Sequence, residues 1–202
     1  MAAHVVVRLQ TIVSREINPS DISVLTVGSL QAGQTENVIA DSAEIGVDIR
    51  SVRPETREKL LASIRRVVKA ECEASGATAA PVFKMTRHLP ITVNDESMIK
   101  TLVTSFKEYF KDNFDANIMT TTISEDFSVL AASQGRPYAF WHWGGIEEEL
   151  WDQRLEEGRL DDIPANHTAR FAPVIQPTMR TGINALCVAA LAFFDEKLQH
   201  KL

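Results

Sequence analysis

The run Ser42 to Arg50 alternates without a break: Ile45, Val47 and Ile49 fall on one side of an extended chain, Glu44, Gly46, Asp48 and Arg50 on the other. Successive side chains of a strand point to opposite faces, so this is a strand of a sheet with one covered and one polar face. The flanking sequence offers two covers. Ala2, Val5, Val6, Leu9, Ile12 and Val13 recur at helical spacing, and the chain opens directly in this amphipathic helix with no preceding strand or cap signal. A second stripe of Leu60, Leu61, Ile64, Val67 and Val68 follows Pro54, which suits a first helical turn, and closes at Gly76, a C-terminal cap. Asn18-Pro19-Ser20-Asp21 ends the first helix, Ile22 to Ser29 reads as another strand, and Pro81 to Arg87 offers one more. The order helix, strand, strand, helix, strand is a split βαβ, ferredoxin-like plan that lacks its first strand.

His88-Leu89-Pro90-Ile91 reads as a crossing segment, which divides the chain into residues 1–91 and 92–202. Beyond it Asn94 or Asp95 can cap a helix bearing Met98, Ile99, Leu102, Val103, Phe106 and Phe110 on one side. Ser124 is expected to cap a short helix with Glu125 and Asp126 in its first turn. Tyr138 to Trp143 reads as an aromatic strand ending at Gly144-Gly145. From Thr178 onward, Ile183, Leu186, Cys187, Ala190, Leu191, Phe194 and Leu198 define a final helix expected to be heavily buried. This half has too few strands to close an α/β sheet by itself.

With a formal charge of −6 and no basic cluster, the chain lacks the Lys/Arg face that nucleic-acid phosphates require. No apolar run reaches the roughly 18 residues of a membrane span. Cys72 and Cys187 lie in helical apolar patterns far apart, which suits buried free thiols and a reducing compartment, with the cytoplasm preferred. Met1 to Arg15 carries Arg8 and Arg15 and no acid, as a mitochondrial presequence does, but its regular apolar spacing favours a structural helix.

Three stretches together resemble the zinc aminoacylase and carboxypeptidase G-like metallopeptidase superfamily, in its amidohydrolase branch with hippurate and auxin-conjugate hydrolases. They are Thr26-Val27-Gly28-Ser29 through Glu36-Asn37-Val38-Ile39 to Asp48-Ile49-Arg50, then Ser124-Glu125-Asp126-Phe127, then Asn166-His167 through Pro173. The resemblance implies an α/β catalytic domain holding two divalent metal ions, zinc or manganese, with a ferredoxin-like dimerisation or lid domain inserted in it. Residues 1–91 correspond to most of that lid and 92–202 to the C-terminal part of the catalytic domain. The family's N-terminal catalytic half, with most metal ligands and the general-base glutamate, has no counterpart here. The implied reaction is metal-assisted hydrolysis of the amide bond of N-acyl amino acids or similar small molecules.

The same resemblance assigns His167 as the last metal ligand of the set, and Asn37 and Arg50 as lid residues that reach across a dimer to hold the substrate's carboxylate or acyl oxygen. A guanidinium offers paired donors to a carboxylate, which suits Arg50; a salt bridge to Asp48 or Glu44 is the plain alternative, and a turn bond is the alternative for Asn37. Glu125 and Asp126 read as helix-start acids, His142 as a packed or hydrogen-bonded residue, and Glu147-Glu148-Glu149 as solvated loop. Gly144-Gly145 lacks the following Lys of a phosphate loop. Gln31 and Ile123 depart from the family pattern, which has a histidine and a small residue there. No catalytic residue is assigned. One imidazole does not hold a catalytic metal tightly, so the expectation is an amidohydrolase-family chain with no tightly bound metal and no activity by itself. It would pair as a homodimer or with an intact homologue. The rival reading is a non-catalytic dimerisation protein derived from that family.

Overall fold

The computed structural model describes residues 1–194 and divides into two compact units, Met1–Ile91 with Thr120–Asp126, and Thr92–Met119 with the chain from Phe127. The fold is mixed helix and strand. In the first unit, helix α1 (Ala2–Glu16) is followed by strands β1 (Ser23–Ala32) and β2 (Ala43–Ser51) and then by helix α2 (Pro54–Ala74). This is the expected helix, strand, strand, helix order. β1 and β2 pair antiparallel from Ser23 opposite Ser51 to Ala32 opposite Ala43.

Burial of one sheet face drives this arrangement. Val5, Leu9 and Ile12 of α1 and Leu60, Ile64 and Val67 of α2 are buried together with Ile17, and Leu25, Val27, Ile45 and Ile49 of the sheet pack against them. Leu9, Ile12 and Leu60 are each fully buried, worth about 2 kcal/mol apiece in apolar area removed from water. The alternation read from Ser42 to Arg50 therefore holds at Ile45 and Ile49. Val47, paired with Val27 beside a bulge, stays 36% exposed. That bulge lies at Gly28, between Val27 and Ser29, and a β-carbon on the facing Gly46 would meet Ser29 Oγ at 2.5 Å. Bulges kink and twist a strand, which moves one residue off the covered face.

Helix ends carry their own wiring. Pro54 opens α2, Ser75 ends it, and Gly76 follows with φ of 66°, the left-handed turn that a residue without a β-carbon takes most readily. Glu16 closes α1: its Oε2 accepts a bond from Ser63 Oγ at 2.9 Å and its Oε1 pairs with Arg66 Nη2 at 2.5 Å. Lys59 Nζ donates to the Glu16 carbonyl, satisfying one of the open acceptors at the helix end. The Arg66 guanidinium, helped by the Ser63 hydroxyl, holds the Glu16 carboxyl below its ordinary value of 4.5.

One strand expected in this unit is absent. Pro81 to Arg87 has no ladder partner, because the described sheet contains only β1 and β2; a β-prone run becomes a strand only where a neighbour's N–H and C=O groups are available. Thr120–Asp126 belongs to this first unit although it lies far along the chain, and Arg50 Nη1 donates to the Thr122 carbonyl at 2.8 Å.

The second unit is built on helix α3 (Glu96–Phe110) and helix α6 (Thr178–Phe194). Asp95 is the cap of α3, accepting a bond from the Met98 N–H at 3.0 Å. Asn94 instead bridges to the aromatic run. Its side chain donates to the Phe140 carbonyl and accepts from the Phe140 N–H, while Asp95 N–H donates to the Tyr138 carbonyl. These bonds hold Tyr138 to Trp143 in place of a strand ladder, so the aromatic run is not a strand. Phe106 anchors the core through edge-on contacts with Phe110, Phe114 and Trp141 at 5.4–5.6 Å between ring centres. Helix α4 (Phe127–Ala132) starts after Asp126 rather than at Ser124. Helix α5 (Glu148–Glu156) takes up the stretch expected to be a solvated loop, with Glu148 and Glu149 in its first turn where the helix dipole favours acids.

The largest departure is in α6. Its buried residues are Gly182, Ala185, Ala189 and Ala192, while Ile183, Leu186, Leu191 and Phe194 are 55–76% exposed. The helix packs through its small side chains, which let it approach closely; a β-carbon at Gly182 would stand 3.1 Å from the Trp143 indole. Cys187 is exposed and Cys72 half-buried, so neither is the fully buried thiol expected, and both are free. Leu198 lies outside the described residues.

Two outcomes follow for stability in urea unfolding followed by helical circular dichroism. Leu9→Ala is expected to cost about 3 kcal/mol, because the site is closed on all sides. Glu16→Gln is expected to cost about 1 kcal/mol at neutral pH, the full worth of a charged bond being discounted for the exposure of Arg66. Because folding lowers the Glu16 pKa, the wild-type advantage is complete above pH 4.5 and disappears as pH falls through the lowered folded value. A gap between the two proteins that is independent of pH would contradict this wiring.

Candidate functional site

Arg50 sits one residue from the end of β2, on the face opposite Ile45 and Ile49. Asp48 shares that face two residues earlier, and its Oδ2 accepts from Arg50 Nε at 3.0 Å. The second bond, from Nη1 to the Thr122 carbonyl, comes from a segment 72 residues away. The salt bridge weighed for Arg50 is thus present with Asp48, but the guanidinium is also held by a backbone acceptor. Its side chain remains 42% exposed.

Asn37 lies in an exposed turn of the loop between β1 and β2 and makes no side-chain hydrogen bond among the described residues. The register places it at the opposite end of the hairpin from Arg50. Ala43 and Arg50 lie seven positions apart along β2, a rise of roughly 24 Å. Within one molecule, therefore, Asn37 and Arg50 are not brought together around a single small ligand.

His167 is exposed in a turn with φ of 70°, a left-handed conformation unusual for a residue other than glycine. Thr168 N–H donates to the Ala165 carbonyl at 3.2 Å in this turn. The loop is anchored just downstream, where Val174 N–H donates to the Gly145 carbonyl at 2.9 Å. A β-carbon on Gly145 would meet the Pro173 ring at 2.9 Å, so this glycine serves a close chain crossing. Among the described residues no group of three or more His, Cys, Asp or Glu side chains could hold a metal. A catalytic zinc requires about three protein ligands, and the donor set around His167 does not fit one. His142 stacks edge-on against Phe140, ring centres 4.9 Å apart, as a packed side chain does.

A groove of about 350 Å³ in the second unit is walled by apolar side chains, including Met98, Phe127, Trp141, Leu186 and Phe193. It offers packing surface rather than groups for proton transfer. The Thr122 contact was missed by sequence reasoning, and no sequence signal could have found it: any residue has a carbonyl, and only the chain path decides which one meets Arg50. The helix at Glu148 was open to detection from its first-turn acids, Arg154 in its last turn and the following Gly158.

Comparison with known proteins places these features. Residues 1–75 match the model of the peptidase dimerisation domain. N-acetyldiaminopimelate deacetylase of Anoxybacillus flavithermus is 30% identical over 154 residues, covering 72% of this chain and 37% of the relative. The enzyme of that name from Lactococcus lactis is 31% identical, covering 77% and 40%. Hippurate hydrolase of Campylobacter jejuni is 29% identical, covering 69% and 36%. The chain thus spans about two fifths of the length of the curated relatives it matches. A solved structure from methicillin-resistant Staphylococcus aureus, of a protein designated an aminohydrolase, superposes with a TM-score of 0.52 at 28% identity, covering 67% of this chain and 34% of that one. By its dimerisation domain, its relatives and this structural neighbour, the chain belongs to metallopeptidase family twenty, in the amidohydrolase branch.

Proposed function

We propose that this chain carries the lid and the C-terminal catalytic portion of a metal-dependent amidohydrolase that cleaves N-acyl amino acids or similar amides. The observation that carries the reading is the likeness to N-acetyldiaminopimelate deacetylase over 154 residues, too long a match to lie within either unit by itself. That relative and hippurate hydrolase are both named for substrates that join an acyl amide to a free carboxylate. Arg50 is the group to hold such a carboxylate, because a guanidinium presents paired donors in the plane that a carboxylate accepts. Asn37 would then serve the acyl oxygen from a second copy, since the hairpin separates it from Arg50 by more than the length of a small substrate. The reading thus requires a dimer.

His167 is proposed as one ligand of a pair of zinc or manganese ions, whose contribution when bound is to polarise the amide carbonyl and acidify water. Its left-handed backbone supports a functional role, because strained residues persist where surrounding structure holds them for a purpose. The described residues do not complete a metal site, so we assign this chain by itself neither tight metal binding nor turnover. The same deficit supports the second reading, a non-catalytic dimerisation protein, and the cytoplasm is the proposed compartment for both.

Purified chain is expected to sediment as a dimer, to take up less than one equivalent of zinc at micromolar concentration, and to leave hippurate and N-acetyl amino acids intact. Stoichiometric zinc uptake with turnover would overturn the partial-site reading. A monomer that stays monomeric at high concentration would remove the pairing of Asn37 with Arg50. In urea unfolding, His167→Gly is expected to gain about 1 kcal/mol by relieving the left-handed backbone, whereas His167→Ala gains nothing. Equal stability of wild type and the glycine variant would show that the backbone at 167 stores no strain.

A further inference from the structure

Arg50 is held by two acceptors, Asp48 two residues before it on the same strand and the Thr122 carbonyl 72 residues away. A guanidinium has five N–H donors. Asp48 takes the one on Nε and the Thr122 carbonyl takes one on Nη1, so three remain, all at the Nη1 and Nη2 end of the fork. Among the described residues, Thr122 uses one Nη1 proton and leaves the second Nη1 proton and both Nη2 protons, and the side chain is 42% exposed. The two bonds fix the long side chain from different directions, one from the same strand and one from residues 120–126.

We propose that Asp48 is a positioning residue: together with the Thr122 carbonyl it fixes Arg50 so that the outer end of the guanidinium is preorganised for a ligand carboxylate. This deepens the reading of Arg50 given above and rests on it. An arginine free to rotate must surrender its rotamer freedom on binding, which costs affinity; a braced one has surrendered it already. The opposing effect is electrostatic. Asp48 puts a negative charge beside the one being recruited, and two like charges a few ångströms apart repel. The two accounts predict opposite signs for removal of Asp48. If Asp48 acted only through charge, its removal would tighten carboxylate binding. If it acts as a brace, removal weakens binding although a repulsive charge is gone. Asparagine separates them further, because its side-chain oxygen still accepts from Nε while the charge is lost.

The test is a titration of the full chain with N-acetylglycinate, followed through the nitrogen-15 resonance of Arg50 Nε, with N-acetylglycinamide as the probe lacking a carboxylate. Wild type is expected to respond to the acid and not to the amide, with Arg50→Lys losing the response because an ammonium is a point charge without a fork. Asp48→Ala is expected to weaken binding by about threefold to tenfold, and Asp48→Asn to stay at or tighter than wild type. Binding by Asp48→Ala equal to or tighter than wild type would overturn the brace while leaving Arg50 as the carboxylate group. No wild-type response of Arg50 to the acid would overturn both. Asp48 is an exposed residue, so both variants are expected to keep the wild-type circular dichroism; the asparagine variant supplies a second, nearly isosteric comparison.

Discussion

Burial of one face of the β1 and β2 hairpin under α1 and α2 is the constraint on which the first unit rests. Two strands have no stability of their own in water; they persist because Leu25, Val27, Ile45 and Ile49 close against Leu9, Ile12 and Leu60. The period of two along a strand then decides everything on the opposite side. With Ile49 directed into the core, Asp48 and Arg50 must point away from it, and their spacing sets them side by side. The carboxylate-binding face proposed here is a consequence of where the apolar face had to go.

The second unit shows the limits of reading burial from hydrophobicity. Large apolar side chains on α6 suggest the buried side, yet Gly182, Ala185, Ala189 and Ala192 make the contact. Both stripes are apolar, and a helix can present either one. Backbone proximity favours the small one where a bulky aromatic such as Trp143 must be accommodated beside the helix. Exposure of Ile183, Leu186 and Phe194 is therefore a property of packing geometry that no hydropathy pattern encodes.

Strand assignments fail for a related reason. Pro81 to Arg87 and Tyr138 to Trp143 both have strand-like composition, and neither is a strand. Strand formation requires a partner of matching register, and local sequence carries no information about whether one is within reach. At Tyr138 and Phe140 the partner is instead the side chain of Asn94 with the backbone of Asp95, a substitution visible only in three dimensions.

The amino-acid sequence by itself determined the elements whose cause is local: the periodic stripes of α1, α2 and α3, a cap at Asn94 or Asp95, the turn at Gly76 and the two-faced strand that carries Arg50. It also determined the family likeness, because motifs such as Asp48-Ile49-Arg50 and Asn166-His167 are contiguous. Tertiary structure alone decided that Arg50 meets the Thr122 carbonyl, that Asn37 lies at the far end of the hairpin, and that α6 buries its small residues. Those outcomes depend on distances between segments far apart in the chain, and such distances are settled by competition among many packings rather than by any one residue's preference.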